Sequence, residues 1–309
     1  MRKFLVTGGA GFIGSNLTLA LQDRYPDARI VVLDDFRSGD FRNLRGFRGD
    51  FVAADVSRLD WNRQFGDRSF DTIYHEASIT DTTVHDQFLQ THDNIEGFRR
   101  MLEFALVTHT PVVYASSAAT YGICSGVQQE DQPPAPANVY AFTKVQLDNL
   151  ARDYASRNPS WHIVGLRYFN VYGPNEAHKK AAASMIYQLY SQMKSGRRPK
   201  VFKMGEQKRD FVYVKDVVAL TIQAANSPKS GIYNCGSGRA FSFNEAIAAI
   251  NRALGTQLEP DYIENPYDFY QPHTEADMGR ARVELGHVPE FSPESGIADY
   301  VRWLESNRA

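Results

Sequence analysis

The sequence predicts an α/β protein built on a doubly wound parallel sheet, and two observations carry that prediction. Through the N-terminal half, short apolar runs alternate with helical stretches, the pattern of a sheet buried on both faces. Each run also ends in a polar cluster, and in such sheets ligands bind beyond the carboxyl ends of the strands.

The elements follow in order. Phe4-Leu5-Val6 is a strand ending in a glycine turn, and Phe12 to Leu21 has helical periodicity. Ile30 to Leu33 is a β-branched run ending in Asp34-Asp35; Phe51-Val52-Ala53 ends at Asp55, and Thr72-Ile73-Tyr74 ends at His75-Glu76. Asn94 to Val107 reads as a helix, Val112 to Ala115 as a strand ending in Ser116-Ser117, Tyr140 to Tyr154 as a helix and Ile163 to Leu166 as a strand. From about Asn175 the alternation weakens. Ala181 to Lys194, Asp216 to Ala225, Phe243 to Leu254 and Ser295 to Glu305 read as helices, with short strands at Lys200 to Phe202 and Phe211 to Tyr213. A first domain over residues 1–170, to which later segments return, and a smaller C-terminal lobe over 171–309 are expected. No internal repeat or low-complexity tract interrupts them.

Of 309 residues, 43% are hydrophobic and 23% charged, which describes an ordinary globular chain. A net charge of -2 gives no bulk electrostatic basis for binding nucleic acid or a membrane surface. Cys124 and Cys235 lie far apart without metal-ligand spacing, so a disulfide or a metal site is not expected, and a reducing compartment is. The first apolar run is too short for a signal peptide or a membrane span, so a cytoplasmic protein is expected.

Thr7-Gly8-Gly9-Ala10-Gly11-Phe12-Ile13-Gly14 places glycines 8, 11 and 14 between a strand and a helix. Gly8 permits a tight turn, Gly11 lets the backbone approach a pyrophosphate and Gly14 lets helix and strand pack closely. The pyrophosphate would lie at the helix start, at Phe12 and Ile13, where unpaired N–H groups and the helix dipole favour an anion. With an acid about 20 residues on, the pattern predicts a Rossmann-type dinucleotide site. Asp34, followed by Asp35, is placed for the adenosine ribose hydroxyls, which favours NAD. Arg37 and Arg42 leave NADP open, because a guanidinium suits a 2′-phosphate. Asp55 is placed for the adenine, and Glu76-Ala77-Ser78 for the diphosphate and ribose.

Tyr140 and Lys144 lie one helical turn apart, so both side chains can enter one cleft. A nearby ammonium and a nicotinamide cation would stabilise a phenolate and bring Tyr140 into a usable acid/base range. Ser117, at a strand end, can hydrogen-bond the substrate oxygen that Tyr140 serves.

The glycine motif, the Ser116-Ser117-Ala118-Ala119-Thr120-Tyr121-Gly122 strand end and the Tyr-x-x-x-Lys helix together resemble the extended short-chain dehydrogenase/reductase superfamily. Arg167 to Pro174, His178-Lys179, Gln207 to Val214, Tyr270-Gln271 and Thr274 to Asp277 extend the resemblance to the ADP-L-glycero-D-manno-heptose 6-epimerases over nearly the whole chain. That resemblance implies inversion of the C6″ carbinol of an ADP-heptose through a transient ketone, with hydride removed and returned by a nicotinamide cofactor. It implies that Lys144 holds the nicotinamide ribose, that Val171 and Asn94 lie on the cofactor side, and that Asn94 braces the catalytic helix or the nicotinamide region. Tyr140 would serve one orientation of the C6″ oxygen and Lys179 the other, with Lys180 as a competing candidate. Asn170, Gln188, Phe202, Arg209 and Tyr270 would contact the nucleotide sugar, and a homo-oligomer is implied. Members using NADP carry a lysine where this chain has Asp40, which makes NAD the first choice. A UDP-hexose 4-epimerase is the nearest alternative and needs no Lys179. A 4,6-dehydratase would carry Asp-Glu where Ala118-Ala119 stand, and a non-catalytic nucleotide sensor would have no need of Ser117, Tyr140 and Lys144.

Overall fold

A computed structural model describes residues 1–66, 69–80, 86–124, 126–264 and 271–307. Tyr270, one of the expected sugar contacts, lies outside them. In chain order the elements are β1 (Lys3–Thr7), α1 (Phe12–Arg24), β2 (Arg29–Asp34), β3 (Asp50–Ala53), α2 (Trp61–Phe65), β4 (Thr72–His75), α3 (Gln87–Leu106), β5 (Val112–Ser117), α4 (Val139–Arg157) and β6 (Ile163–Tyr168). There follow β7 (Asn170–Tyr172), α5 (Met185–Lys194), β8 (Lys200–Phe202), β9 (Lys208–Tyr213), α6 (Val214–Ala224) and β10 (Gly231–Cys235). The chain closes with β11 (Ala240–Ser242), α7 (Phe243–Leu254), β12 (Asp261–Ile263), α8 (Gly279–Leu285) and α9 (Pro293–Ser306).

Two compact units divide the chain. The first comprises residues 1–122, 133–167 and 218–233; the second comprises 123–132, 168–217 and 234–309. The sheet that centres the first runs β10-β6-β5-β4-β1-β2-β3, seven strands in parallel. The strand order reverses between β1 and its neighbours β2 and β4, the switch point at which such sheets open a crevice. Leu5, Val31, Leu33 and Ile73 of the sheet pack on Phe98, Met101 and Leu102 of α3 and on Leu147 of α4, all buried. Burial on this scale contributes about 1.5–3 kcal/mol per large apolar side chain. Inside this unit Asp148 of α4 accepts from Tyr114 Oη (2.9 Å) and from Arg167 Nη2 (3.0 Å), and the Arg167 guanidinium lies 4.7 Å from the Tyr121 ring centre. Such an ion pair costs little to keep only because every member is satisfied.

The second unit holds a three-stranded sheet, β11-β9-β7, and a two-stranded pair, β12-β8. Here α7 packs against α5 and α9. The single helix expected over Ala181 to Lys194 is broken. A 3₁₀ turn over Ala177–Ala182, kinked at Lys180, precedes α5, which Ser184 caps by accepting from Tyr187 N. Serine is a strong N-cap because its hydroxyl satisfies an orphan amide, and that preference overrides the helical periodicity on either side. Strands β7, β10, β11 and β12 were not expected from the sequence; β7, β11 and β12 are three residues each, too short to show a period.

Candidate functional site

The glycine turn is built as its spacing predicts. Gly8 has φ +67°, and a Cβ there would stand 2.6 Å from Ala77 N and 2.8 Å from the Glu76 carbonyl carbon. A Cβ on Gly14 would collide with the Gly8 carbonyl oxygen. The turn is therefore pressed against the end of β4 on one side and α1 on the other, with Gly11 capping α1. Asp34 is almost wholly buried. Its Oδ2 accepts from Ala10 N (2.9 Å) and its Oδ1 from Phe36 N (2.8 Å), which ties the glycine turn to the loop after β2.

Arg37, which kept a 2′-phosphate in consideration, is already taken. Its guanidinium meets Asp93 Oδ2 at 2.6 Å, Asp55 Oδ2 at 3.0 Å and Asp35 Oδ2 at 3.1 Å. Asp93 is held below the usual carboxylate range, burial being outweighed by Arg37, His92 and Ser57. Arg42 is likewise engaged by Asp40. A phosphate arriving here would face three carboxylates around one guanidinium, so the geometry favours a free ribose. Asp55 also accepts from Ser57 N and Ser57 Oγ, so it organises its own loop besides facing Arg37.

At the ends of β4 and β5 lie buried polar atoms without a protein partner: His75 Nε2, Ser78 Oγ and Ser116 Oγ. Orphaned buried donors and acceptors are rare in finished cores. Together with the glycine cradle they fit a dinucleotide lying across the switch point. His75 Nδ1 pairs with Thr7 Oγ1 at 2.9 Å, and burial lowers the imidazole pKa to about 3, so the ring is neutral at physiological pH. Its burial was not legible in sequence, where it reads only as a strand end.

Lys144 is buried, 1% exposed, and its Nζ donates to Ala115 O at 2.8 Å while lying 5.7 Å from the Tyr140 ring centre. Burial lowers its pKa to about 8, against the opposing pull of Glu76 and Asp148. Tyr140 is pulled in both directions. Burial raises its pKa, the hydrogen bond with Ser117 lowers it, and Glu76 raises it again. In the protein alone, desolvation outweighs the serine, and depressing the phenol's pKa requires the further positive charge of a bound nicotinamide. Ser117 Oγ accepts from Ala119 N (3.1 Å), which leaves its O–H to donate toward the phenol. Asn94 accepts from Ile79 N (2.7 Å) and donates to Thr143 Oγ1 (3.1 Å), bracing α4 one residue from Lys144.

The remaining expected residues fall in the second unit. Asn170 Oδ1 accepts from Thr274 Oγ1, and Val171 sits in β7 against β9. Gln188 Nε2 donates to Ala181 O (3.0 Å) and Ala183 O (2.9 Å), clasping the turn before α5. Phe202 ends β8, and Arg209 Cζ lies 6.0 Å from the Phe243 ring centre. Asp210, the next residue after Arg209, is engaged elsewhere. It accepts from Ser237 N, Gly238 N and Ala276 N, and burial raises its carboxyl to about 6. Lys179 is half-buried; burial lowers its pKa and Glu176 raises it. Lys180 is exposed. Among the described residues no group of His, Cys, Asp and Glu could hold a metal ion, and no helix is long and apolar enough to cross a membrane.

A parallel sheet with a glycine turn at its switch point and a Ser/Tyr/Lys set at the end of β5 and on α4 defines an extended short-chain dehydrogenase/reductase. The chain belongs to the NAD dependent epimerase/dehydratase family, whose profile matches residues 4–236, and NAD is its cofactor. It is similar to the ADP-L-glycero-D-manno-heptose-6-epimerase of Helicobacter pylori, at 40% identity and TM-score 0.92 over 99% of this chain and 96% of that one. It is also similar to the UDP-glucose 4-epimerase of Thermotoga maritima, at 26% identity and TM-score 0.91 over 99% of both chains. A third similar structure, the UDP-glucuronic acid 4-epimerase of Bacillus cereus with UDP-glucuronic acid and NAD, shares 27% identity at TM-score 0.83, over 98% of this chain and all 100% of that one. The protein is thus a nucleotide-sugar epimerase or dehydratase by family, with epimerases among its structural relatives.

Proposed function

We propose that this protein inverts C6″ of an ADP-glycero-manno-heptose through a transient ketone. The observation that carries the reading is Lys179, a half-buried lysine whose ammonium is weakened by desolvation. Inverting an exocyclic carbinol presents its oxygen in two orientations, and a second acid/base group meets the second one. The similarity to a heptose 6-epimerase over 99% of the chain supports the same choice.

On this reading Asp34, Asp35 and Asp55 hold the adenosine end of NAD, the amides of Phe12 and Ile13 receive the pyrophosphate, and Glu76, Ala77, Ser78, Asn94 and Val171 line the rest. Bound there, the nicotinamide supplies the acceptor and then the donor of the hydride exchanged with C6″. Tyr140 takes the proton of the C6″ hydroxyl in one orientation, while Ser117 donates a hydrogen bond to the same oxygen. Lys144 holds the nicotinamide ribose and adds positive charge beside the phenol. Lys179 exchanges the proton in the other orientation. Asn170, Gln188, Phe202, Arg209 and Tyr270 bind the nucleotide sugar, Arg209 through a guanidinium suited to the diphosphate.

The test is to incubate the purified protein with ADP-D-glycero-D-manno-heptose and resolve the C6″ epimers by chromatography. Approach to an epimer mixture from either side is expected. No conversion, alongside rapid turnover of UDP-galactose, would overturn the heptose assignment in favour of a UDP-hexose 4-epimerase.

A further inference from the structure

The segment between β7 and α5, residues 173–184, carries Lys179 and is closed at its neck by one buried side chain. Glu176 is fully buried, with 0% exposure. Its Oε1 accepts from Gly173 N (3.0 Å) and Ser184 Oγ (2.9 Å), and its Oε2 accepts from Ser184 N (2.5 Å). The two ends of the loop are thus held by one carboxylate. Because Ser184 spends its proton on Glu176, its lone pair is directed to Tyr187 N (3.2 Å), the cap of α5. Lys179 N donates to the Glu176 carbonyl at 3.0 Å, so the lysine's backbone is set from the same residue.

All three bonds to the carboxyl need acceptor lone pairs, which the ionised form supplies most fully on both oxygens. A buried carboxylate needs a counter-charge or its pKa climbs. Burial raises the Glu176 carboxyl, Lys179 in the loop opposes that rise, and the Tyr300 phenol of α9 faces the same carboxyl.

We propose that Glu176 is a positioning residue for Lys179, fixing the loop that presents it and supplying the negative charge that keeps its ammonium form accessible. A group that both gives and takes a proton must be able to populate both states near the working pH. Desolvation alone drives a lysine toward the neutral amine, and the carboxylate opposes it. This rests on the reading of Lys179 as the second acid/base group.

The test is Glu176→Gln in the full-length protein with NAD bound. The carboxamide keeps most of the volume but loses the charge. The proton affinity of Lys179 is read by competitive acetylation across pH, followed by peptide mass spectrometry, and needs no turnover. The labelling midpoint of Lys179 is expected to fall by about one pH unit, the direction set by the loss of the neighbouring negative charge. The acid limb of the epimerisation profile should move down with it, since Lys179 acts as a base when neutral. A lower rate with both midpoints unmoved would overturn the proposal and leave Glu176 a simple neck brace. Should the glutamine variant not fold, Glu176→Asp retains the charge while disturbing the neck. Its Lys179 midpoint is expected to stay at the wild-type value, and a fall of one unit there would equally contradict the account. Full epimerisation by Lys179→Met would sink the second-base reading itself while leaving the labelling result interpretable.

Discussion

Tyr140 and Lys144 are the residues whose chemistry depends most on what surrounds them. Their i, i+4 spacing was legible in sequence, but the burial that sets their proton affinities was not. Spacing places a cation beside a phenol. Depth in the fold decides that desolvation raises Tyr140 and lowers Lys144 to about 8. Tyr140→Phe keeps the ring and loses the proton, so kcat should fall by ~10²–10⁴-fold, the usual worth of a positioned acid/base group. Bound NAD, measured by absorbance after denaturation, should stay at wild-type occupancy. His75 gives a second prediction at this scale. The native ring titrates at about 3, against ~6.5 in an unfolded chain. Between those values the unfolded state binds the extra proton, so stability rises with pH across this window and is lost as pH falls through it, at about 1.4 kcal/mol per pH unit. In urea titrations between pH 6 and 4, His75→Gln should remove a slope of that size.

Among the elements, those with a period or a cap were legible. Helix α7 starts and stops where its sequence says, because Ser242 and Glu245 form a capping box and Gly255 closes it in the left-handed conformation. Ser242→Ala should cost about 1 kcal/mol in denaturant unfolding while leaving NAD content unchanged. The glycine turn was equally readable, because positive φ at Gly8 and the crowding at Gly14 admit no side chain. The loop over residues 173–184 was not. It has no period, its 3₁₀ turn is kinked at Lys180, and its organising residue reads in sequence as one more surface glutamate. Glu176 is visible only once Gly173 and Ser184 are seen to converge on it. Gln188 was expected at the sugar; in the structure its amide clasps that same loop.

At the scale of the whole molecule, strand order β3-β2-β1-β4-β5-β6 follows from the alternation of apolar runs and helices, and so does the crevice at the strand ends. The polar clusters after β1, β2, β4 and β5 all stand at that edge of the sheet, which is why motif reading could address the cofactor side. The proposed sugar contacts are spread through the second unit, and none of them declares a ligand by spacing alone. On the proposed reading a hydrogen leaves C6″ and returns to the same carbon on the other face, without exchange with water. The most direct measurement uses ADP-D-glycero-D-manno-heptose deuterated at C6″, incubated with the protein in ordinary water and followed by mass spectrometry and NMR. The account predicts the epimeric heptose with its deuterium still on C6″. Recovery of an epimer that has lost the label to solvent, or of unchanged substrate only, would contradict it.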